Sequence, residues 1–303
     1  MKRIAVIGSL NVDYVANVMY MPKIGETVLS GGFKILPGGK GANQAYAIGR
    51  MGAPVAMFGA VGNDANALFE LQNLQSANVD VTHICTVNEP TGIAMIAVDE
   101  NGDNCIVVSQ GANRSVTKEY IDEKLDALQK FDIFIFQLEI PLETVVYAAQ
   151  KLKAMGKTII LDPAPAPGRL PEELLNQVDF VKPNETELAI LTGILDAEQA
   201  CGVLLDQGVS CVLASLGPAG VMVQEKGKPA VRYEVERVKA VDTTAAGDSF
   251  TAAFAFALAN ASGIEQAVQF ANKVATVVVQ RPGAQQSIPA SEEIQAIWNE
   301  TFQ

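Results

Sequence analysis

Apolar and polar positions along the chain fall into short runs that switch between two periods. "RIAVIG" at the start is a β-branched run closed by glycine, the pattern of a strand buried on both faces of a parallel sheet. Runs of the same kind recur at "APVAMFGAVG", "FDIFIFQL", "KTIILD", "VDFVKP" and "SCVLASLG". Between them, stretches such as "DANALFELQNLQSA" and "PLETVVYAAQKLKAMG" have helical patterning, and three more helices are predicted over 246–260, 263–280 and 290–300. Alternating strand and helix predicts an α/β fold: a Rossmann-like three-layer sandwich with a mostly parallel central sheet covered on both faces.

Two regions break that rhythm. Residues 11–36 and 90–110 hold strand-like pieces, "ETVLSGGFKI" and "GIAMIAVDENGDNCIVV", with turns such as "DENGDN" and no helix between them. They predict a small antiparallel sheet beside the main one. No internal repeat, low-complexity tract or Ser/Gly-rich linker interrupts the sequence. Residues 1–303 therefore read as one domain, with the two segments forming a lid of the kind that closes over substrates.

Composition narrows the function classes. With 49% apolar and 18% charged residues, the 303-residue chain is that of a globular protein. A net charge of -12 argues against duplex nucleic acid as the main partner, because such binding relies on Lys and Arg neutralising phosphates. It leaves room for a small anion held by backbone N–H groups and a local cation. Cys85, Cys105, Cys201 and Cys211 have neither zinc-site spacing nor the density of a disulfide scaffold, so they are expected as buried free thiols. The first apolar run, "IAVI", is too short for a signal peptide, and no later run reaches membrane-spanning length, which places the expectation in the cytoplasm. His83 is the single histidine, which excludes His-based triads and multi-histidine metal sites. Both His83 and Trp298 are expected in packing roles.

Several motifs carry chemistry, each with a structural alternative. After the first strand, "GSLNVD" stands where a dinucleotide fold would show GxGxxG. Asn11 and Asp13 would share one face if extended, although an Asx turn explains them equally well in isolation. Their place beyond a strand end favours a ligand role, and Glu139 in "FIFQLEIP" repeats that logic. "PGGKGANQA" fails the P-loop pattern twice, at Lys34 and Gly41. Its glycines, Gly39 among them, would let a ligand approach the backbone, with Lys40 and Asn43 beside it. Asn184 and Glu187 fit a capping box, and a solvated Mg²⁺ site would use the same oxygens.

"VDTTAAGDSF" is the most informative stretch. If a helix begins near Ala246, the N–H groups of Ala246, Gly247 and Asp248 lie unpaired at the positive end of its dipole, and small side chains admit a phosphate to them. Asp248 is then either an ordinary helix-start acid or a general base beside a transferring phosphoryl group.

Taken together, "GSLNVD", "PKIGET", "GGKGANQA", "QLEIP", "DPAPA", "KPNETE", "DTTAAGDSF" and "RPGAQQSIP" resemble, in order and spacing, the ribokinase (PfkB-type) sugar kinases over essentially the whole chain. The resemblance implies transfer of the γ-phosphoryl of ATP to the 5-hydroxyl of D-ribose, giving ribose 5-phosphate. It implies Asn11, Asp13, Gly39, Lys40, Asn43 and Glu139 as sugar contacts, Asp248 as base, and the amides of Ala246 and Gly247 as anion hole. It further implies Asn184, Ser215 and Gly217 on the nucleotide side, and Glu187 with Asn184 in handling Mg²⁺. Asp242, Thr244, Val278, Arg281, Gly283 and Ser287 match the family's K⁺ ligands, several through carbonyls, and a homodimer through the lid is implied. Two residues depart from the pattern: Asp162 stands where asparagine is common, and Ser215 where threonine is usual. A kinase of the same family acting on deoxyribose, a ketohexose or a nucleoside is the close alternative, and a non-catalytic sugar-binding regulator the more distant one.

Overall fold

Eight strands form the central sheet of the computed structural model, which describes residues 1–302. In sheet order they are Val231–Tyr233, Val221–Glu225, Cys211–Ser215, Phe180–Val181, Thr158–Leu161, Ile133–Phe136, Ile4–Ile7 and Val55–Phe58. Pairing is parallel from Val55–Phe58 through Cys211–Ser215 and antiparallel for the last two strands, which the sequence reading did not single out. Alternate residues feed opposite faces, as the period of two requires. Ile4, Val6, Ile133 and Ile135 pack with the helices on one side, and Ala5, Ile7, Phe134 and Phe136 with those on the other.

The Ile4–Ile7 strand is the turning point of the topology. Its neighbours are Val55–Phe58 on one side and Ile133–Phe136 on the other, and every later strand continues outward from the second. The Ile4–Ile7 and Ile133–Phe136 strands run parallel and end side by side at this turning point, the place where open α/β sheets bind ligands. Ser9 to Asp13 leave one strand there, and Glu139 the other.

Asn11–Asn17, Gly32–Gly38, Gly92–Val98 and Asn104–Ser109 form the small second sheet. It is mixed, which corrects the antiparallel expectation. Each pair, Asn11–Asn17 with Gly32–Gly38 and Gly92–Val98 with Asn104–Ser109, is antiparallel, but the two join through parallel strands Asn11–Asn17 and Gly92–Val98. Those two strands lie far apart in sequence, so no hairpin turn obliges them to run antiparallel.

The closing helices span Ala246–Ala259, Ile264–Val278 and Ser291–Phe302. Ala246–Ala259 is buried almost all round, which its alanines permit, and Phe254 meets Phe180 of the sheet edge-on. All four cysteines are free, but only Cys201 and Cys211 are buried, while Cys105 is exposed on an edge strand. Among the described residues no single helix is long and apolar enough to cross a membrane. His83 stacks on Phe58 and Trp298 packs on Phe256, both as packing residues.

Candidate active site

The Ala246–Ala259 helix opens at Ala245, whose left-handed φ of 58° turns the chain sharply into it with no side-chain cap. The Ala246 N–H makes a long 3.3 Å contact to the Thr243 carbonyl, and the amides of Gly247 and Asp248 have no acceptor among the described residues. Lys182 approaches the same helix start so closely that a Cβ on Gly247 would lie 2.9 Å from its ammonium. A cation at the positive end of a helix is unfavourable by itself, and becomes favourable when an anion sits between them.

Lys182 and Asp162 are both buried and 3.4 Å apart. Lys182 supplies a physical reason for an aspartate at position 162, since a buried cation needs a countercharge. Burial pushes the Asp162 carboxyl above the usual range, against the pull of Lys182 and Lys40. Burial acts to lower the Lys40 pKa, but the carboxylates of Asp248, Asp162, Glu139 and Glu187 outweigh it and hold the value above that of an ordinary lysine.

Asp248 is 5% exposed and its carboxyl is held by two side-chain amides. Asn43 donates to Oδ2 at 2.9 Å and Gln44 to Oδ1 at 3.1 Å. Gln44 also donates to Asp162 at 2.9 Å and accepts from Gln137 at 2.6 Å. Neither Gln44, Gln137 nor Lys182 was singled out from the sequence. Their available signals were a polar pair inside an apolar helix and, for Gln137 and Lys182, a polar residue just past a buried strand, the same signal that located Glu139.

On the other side of Asp248 lies the acceptor cluster. Asn11 and Asp13 are in an extended strand, so the turn reading gives way to the shared-face reading. The buried Asn113 donates to Asn11 Oδ1 at 2.8 Å and pins its orientation. Glu139 accepts from the Ser9 hydroxyl and from the Lys40 N–H, placing its charge at the start of the Lys40–Arg50 helix. Burial, then the charges of Glu139 and Asp248, raise the Asp13 carboxyl to about 7. Glu70 is fully buried just behind, and burial, then Asp13, push it well above the ordinary range.

Part of the glycine run is needed by the protein's own packing. A Cβ on Gly38 would lie 2.4 Å from the Asp13 carboxylate, so what approaches the backbone there is protein. Gly39, at φ 84°, is the N-cap that swings Lys40 into the helix.

From Asp248 a cleft of about 880 Å³ runs past Lys182, Asn184, Glu187, Ser215 and Gly217. Asn184 and Glu187 do form the capping box: Asn184 Oδ1 accepts from the Glu187 N–H at 2.8 Å, and Glu187 Oε2 from the Asn184 N–H at 2.9 Å. Farther along, Val235 to Val238 and Thr276 line a portion of the cleft that no motif announced.

A family model for pfkB family carbohydrate kinases matches residues 1–291. The chain belongs to this family. It is 39% identical to a ribokinase of Haemophilus influenzae over 298 residues, covering 96% of this chain and 97% of that one. It is also 37% identical to a deoxyribokinase of Salmonella typhi, covering 96% of both. A crystallised ribokinase of Arabidopsis thaliana, complexed with ribose and ATP, superposes with a TM-score of 0.91 at 33% identity over 98% of both chains.

In this pfkB-family chain the segments proposed to bind K⁺ are drawn together by Asp242. Its carboxylate accepts from the Thr244 N–H at 2.9 Å and the Gly283 N–H at 2.9 Å. Burial would raise the Asp242 carboxyl, but the Thr244 and Gly283 donors outweigh it and hold it below the usual range. The Arg281 guanidinium is drawn off to Glu293. Ser287 is buried, with its hydroxyl donating to the Ala284 carbonyl at 2.6 Å and its lone pairs free to accept.

Proposed function

We propose that the protein is an ATP-dependent sugar kinase that phosphorylates the 5-hydroxyl of D-ribose. One relationship carries this reading. The Asp248 carboxylate, fixed by Asn43 and Gln44, stands between the polyol-binding cluster and a helix start where unpaired amides and Lys182 await an anion. Asn11, Asp13, Lys40, Asn43 and Glu139 offer both donors and acceptors to a hydroxyl-rich sugar, with Gly39 as the backbone contact.

In the proposed step the sugar hydroxyl gives its proton to Asp248 as its oxygen bonds to the γ-phosphorus, and the bond to the bridging oxygen breaks to release ADP. The Gly247 amide, with Ala246 beside it, the helix dipole and the Lys182 ammonium stabilise the charge on the transferring group. Asn184, Ser215 and Gly217 would hold the nucleotide along the cleft.

Mg²⁺ carried by ATP would neutralise phosphate charge. No cluster of three acidic, histidine or cysteine side chains occurs among the described residues, and the donor set here is the free Glu187 Oε1 and Asn184 acting through water. That fits an ion that keeps most of its waters and its phosphate ligands. The oxygens of Asp242, Thr244, Val278, Arg281, Gly283 and Ser287 fit a K⁺ ion, which would add a fixed positive charge beside the anion hole.

The small sheet carries Asp13 while the main body carries Asp248, which supports a lid role for segments 11–36 and 90–110 within a single domain. Phe33, Ile35, Met95 and Val107 are exposed on that sheet, which supports a homodimer formed through it. Free thiols and ATP as co-substrate are in keeping with a cytoplasmic enzyme.

The deciding experiment is a coupled assay of sugar-dependent ADP formation on the purified protein, with the product's phosphate position read by phosphorus NMR. Ribose 5-phosphate is expected. Faster turnover with deoxyribose would transfer the assignment to the deoxyribokinase alternative, and no sugar-dependent ADP would favour the non-catalytic regulator.

A further inference from the structure

Gln285 is 2% exposed, in the short turn Gln285–Ser287, and it touches neither the sugar cluster's carboxylates nor the nucleotide cleft. Its side-chain amide nevertheless makes a connection that the rest of the 281–287 loop does not. Gln285 Nε2 donates to Asn43 Oδ1 at 3.0 Å, and Asn73 of the Ala65–Ser76 helix donates to Gln285 Oε1. Asn43 in turn donates to Asp248 Oδ2 at 2.9 Å. Three amides therefore stand in series between the Ala65–Ser76 helix and the base.

The direction of this series is fixed from its catalytic end. A carboxylate that serves as a base offers only lone pairs, so Asn43 must turn its NH₂ toward Asp248. Its carbonyl oxygen then faces the other way and needs a donor, which among the described residues Gln285 alone supplies. Gln285 is thereby forced to present its NH₂ to Asn43 and its oxygen to Asn73. Without Gln285, the Asn43 amide would keep a buried oxygen unpaired and lose its brace on the side away from Asp248, so the amide would be free to shift and its hold on the carboxylate would slacken. Glu70, one helical turn before Asn73, lies fully buried close to the Gln285 amide, whose nitrogen carries a second N–H that can face this carboxyl while the first is kept for Asn43.

We infer that Gln285 is a positioning residue for the kinase reaction: it locks the Asn43 amide in one orientation and so holds the Asp248 carboxylate aimed at the acceptor hydroxyl. This rests on Asp248 acting as the base. It also gives the 281–287 loop a direct mechanical link to the reacting group, separate from any cation that the loop's carbonyls hold.

The test is a double-mutant cycle on the purified full-length protein with Gln285→Met, which keeps the volume and removes the amide, and Asn73→Ala. Gln285→Met should lower kcat by about 10-fold to 100-fold, the cost of one lost buried hydrogen bond at a reacting group. KM for ATP should stay within about twofold, and calorimetric ribose titration should still count one folded site per chain. Asn73→Ala alone should lower kcat by a few-fold, and should do nothing further in the Gln285→Met background, because Asn73 acts through Gln285. An unchanged kcat in Gln285→Met, or an Asn73→Ala effect that persists in the double variant, overturns the inference. So does a kcat loss matched by an equal loss of ribose-binding sites, since that is the mark of misfolding alone. If the unmodified protein shows no sugar-dependent turnover, it is the kinase reading that fails rather than the relay.

Discussion

Asn43 and Asp248, 205 residues apart, meet through a 2.9 Å hydrogen bond between a side-chain amide and a carboxylate oxygen. The bond ties the start of the Lys40–Arg50 helix to the start of the Ala246–Ala259 helix, which would make the proposed sugar cluster and the proposed anion-binding amides one site. With Gln44 holding the second oxygen, the carboxylate has little freedom to turn.

Asp248→Asn keeps the shape of this arrangement and removes the proposed base. Turnover is expected to fall by ~10² to 10⁴ or more while ribose affinity is largely kept. Steady-state kinetics and calorimetric titration measure the two separately, and unchanged turnover would remove Asp248 from the mechanism.

Asp13 should make sugar binding depend on pH. Its carboxyl is raised from 3.8 to about 7, so the folded protein holds a proton there that the unfolded chain releases. That contribution to stability is complete below the unfolded value and is lost as pH rises through about 7. Asp13→Asn should therefore raise the melting temperature of the unliganded protein at pH 8, with the gain shrinking toward pH 5. Sugar hydroxyls donate best to the ionised form, so ribose affinity should rise with pH through neutrality and binding should release a proton. Calorimetry in buffers of different ionisation heat detects that proton, and finding none would rule out Asp13 as the acceptor.

The Asp162 and Lys182 pair should couple strongly. Lys182→Met strands a buried carboxylate and should destabilise the fold by about 3 kcal/mol, whereas adding Asp162→Asn should recover most of the loss. Chemical denaturation of the two single variants and the double variant gives the coupling. Additive effects would mean that Lys40 and Gln44 alone suffice to hold Asp162.

Potassium should activate the enzyme. Turnover in potassium buffer is expected to exceed that in sodium buffer by ~5-fold or more, within the usual range for coupling between two sites. Asp242→Ala should erase the difference, because the carboxylate that joins Thr244 to Gly283 is gone. Equal rates in the two salts would count against the site.

Charging the exposed sheet should separate the proposed dimer. Phe33→Lys with Ile35→Lys is expected to give a monomer in sedimentation at micromolar concentration, while the parent chain sediments as a dimer. A monomeric parent would end that proposal.

Sequence by itself determined the alternation of strand and helix, the start of the Ala246 helix and the residues beyond the Ile4–Ile7 and Ile133–Phe136 strands. Those are local properties: side-chain period, glycine placement and capping act over a few residues and can be read in order. It also located the Asn184 and Glu187 capping box. Tertiary structure alone decided that the second sheet is mixed, that Lys182 answers Asp162, and that Gln44 donates to Asp248 and Gln285 to Asn43. Gln285 and Asn43 are separated by 242 residues, and no local pattern encodes which buried amides will face each other across such a distance. Packing brings them together, and only then does the need to pair every buried donor and acceptor fix which way each amide points.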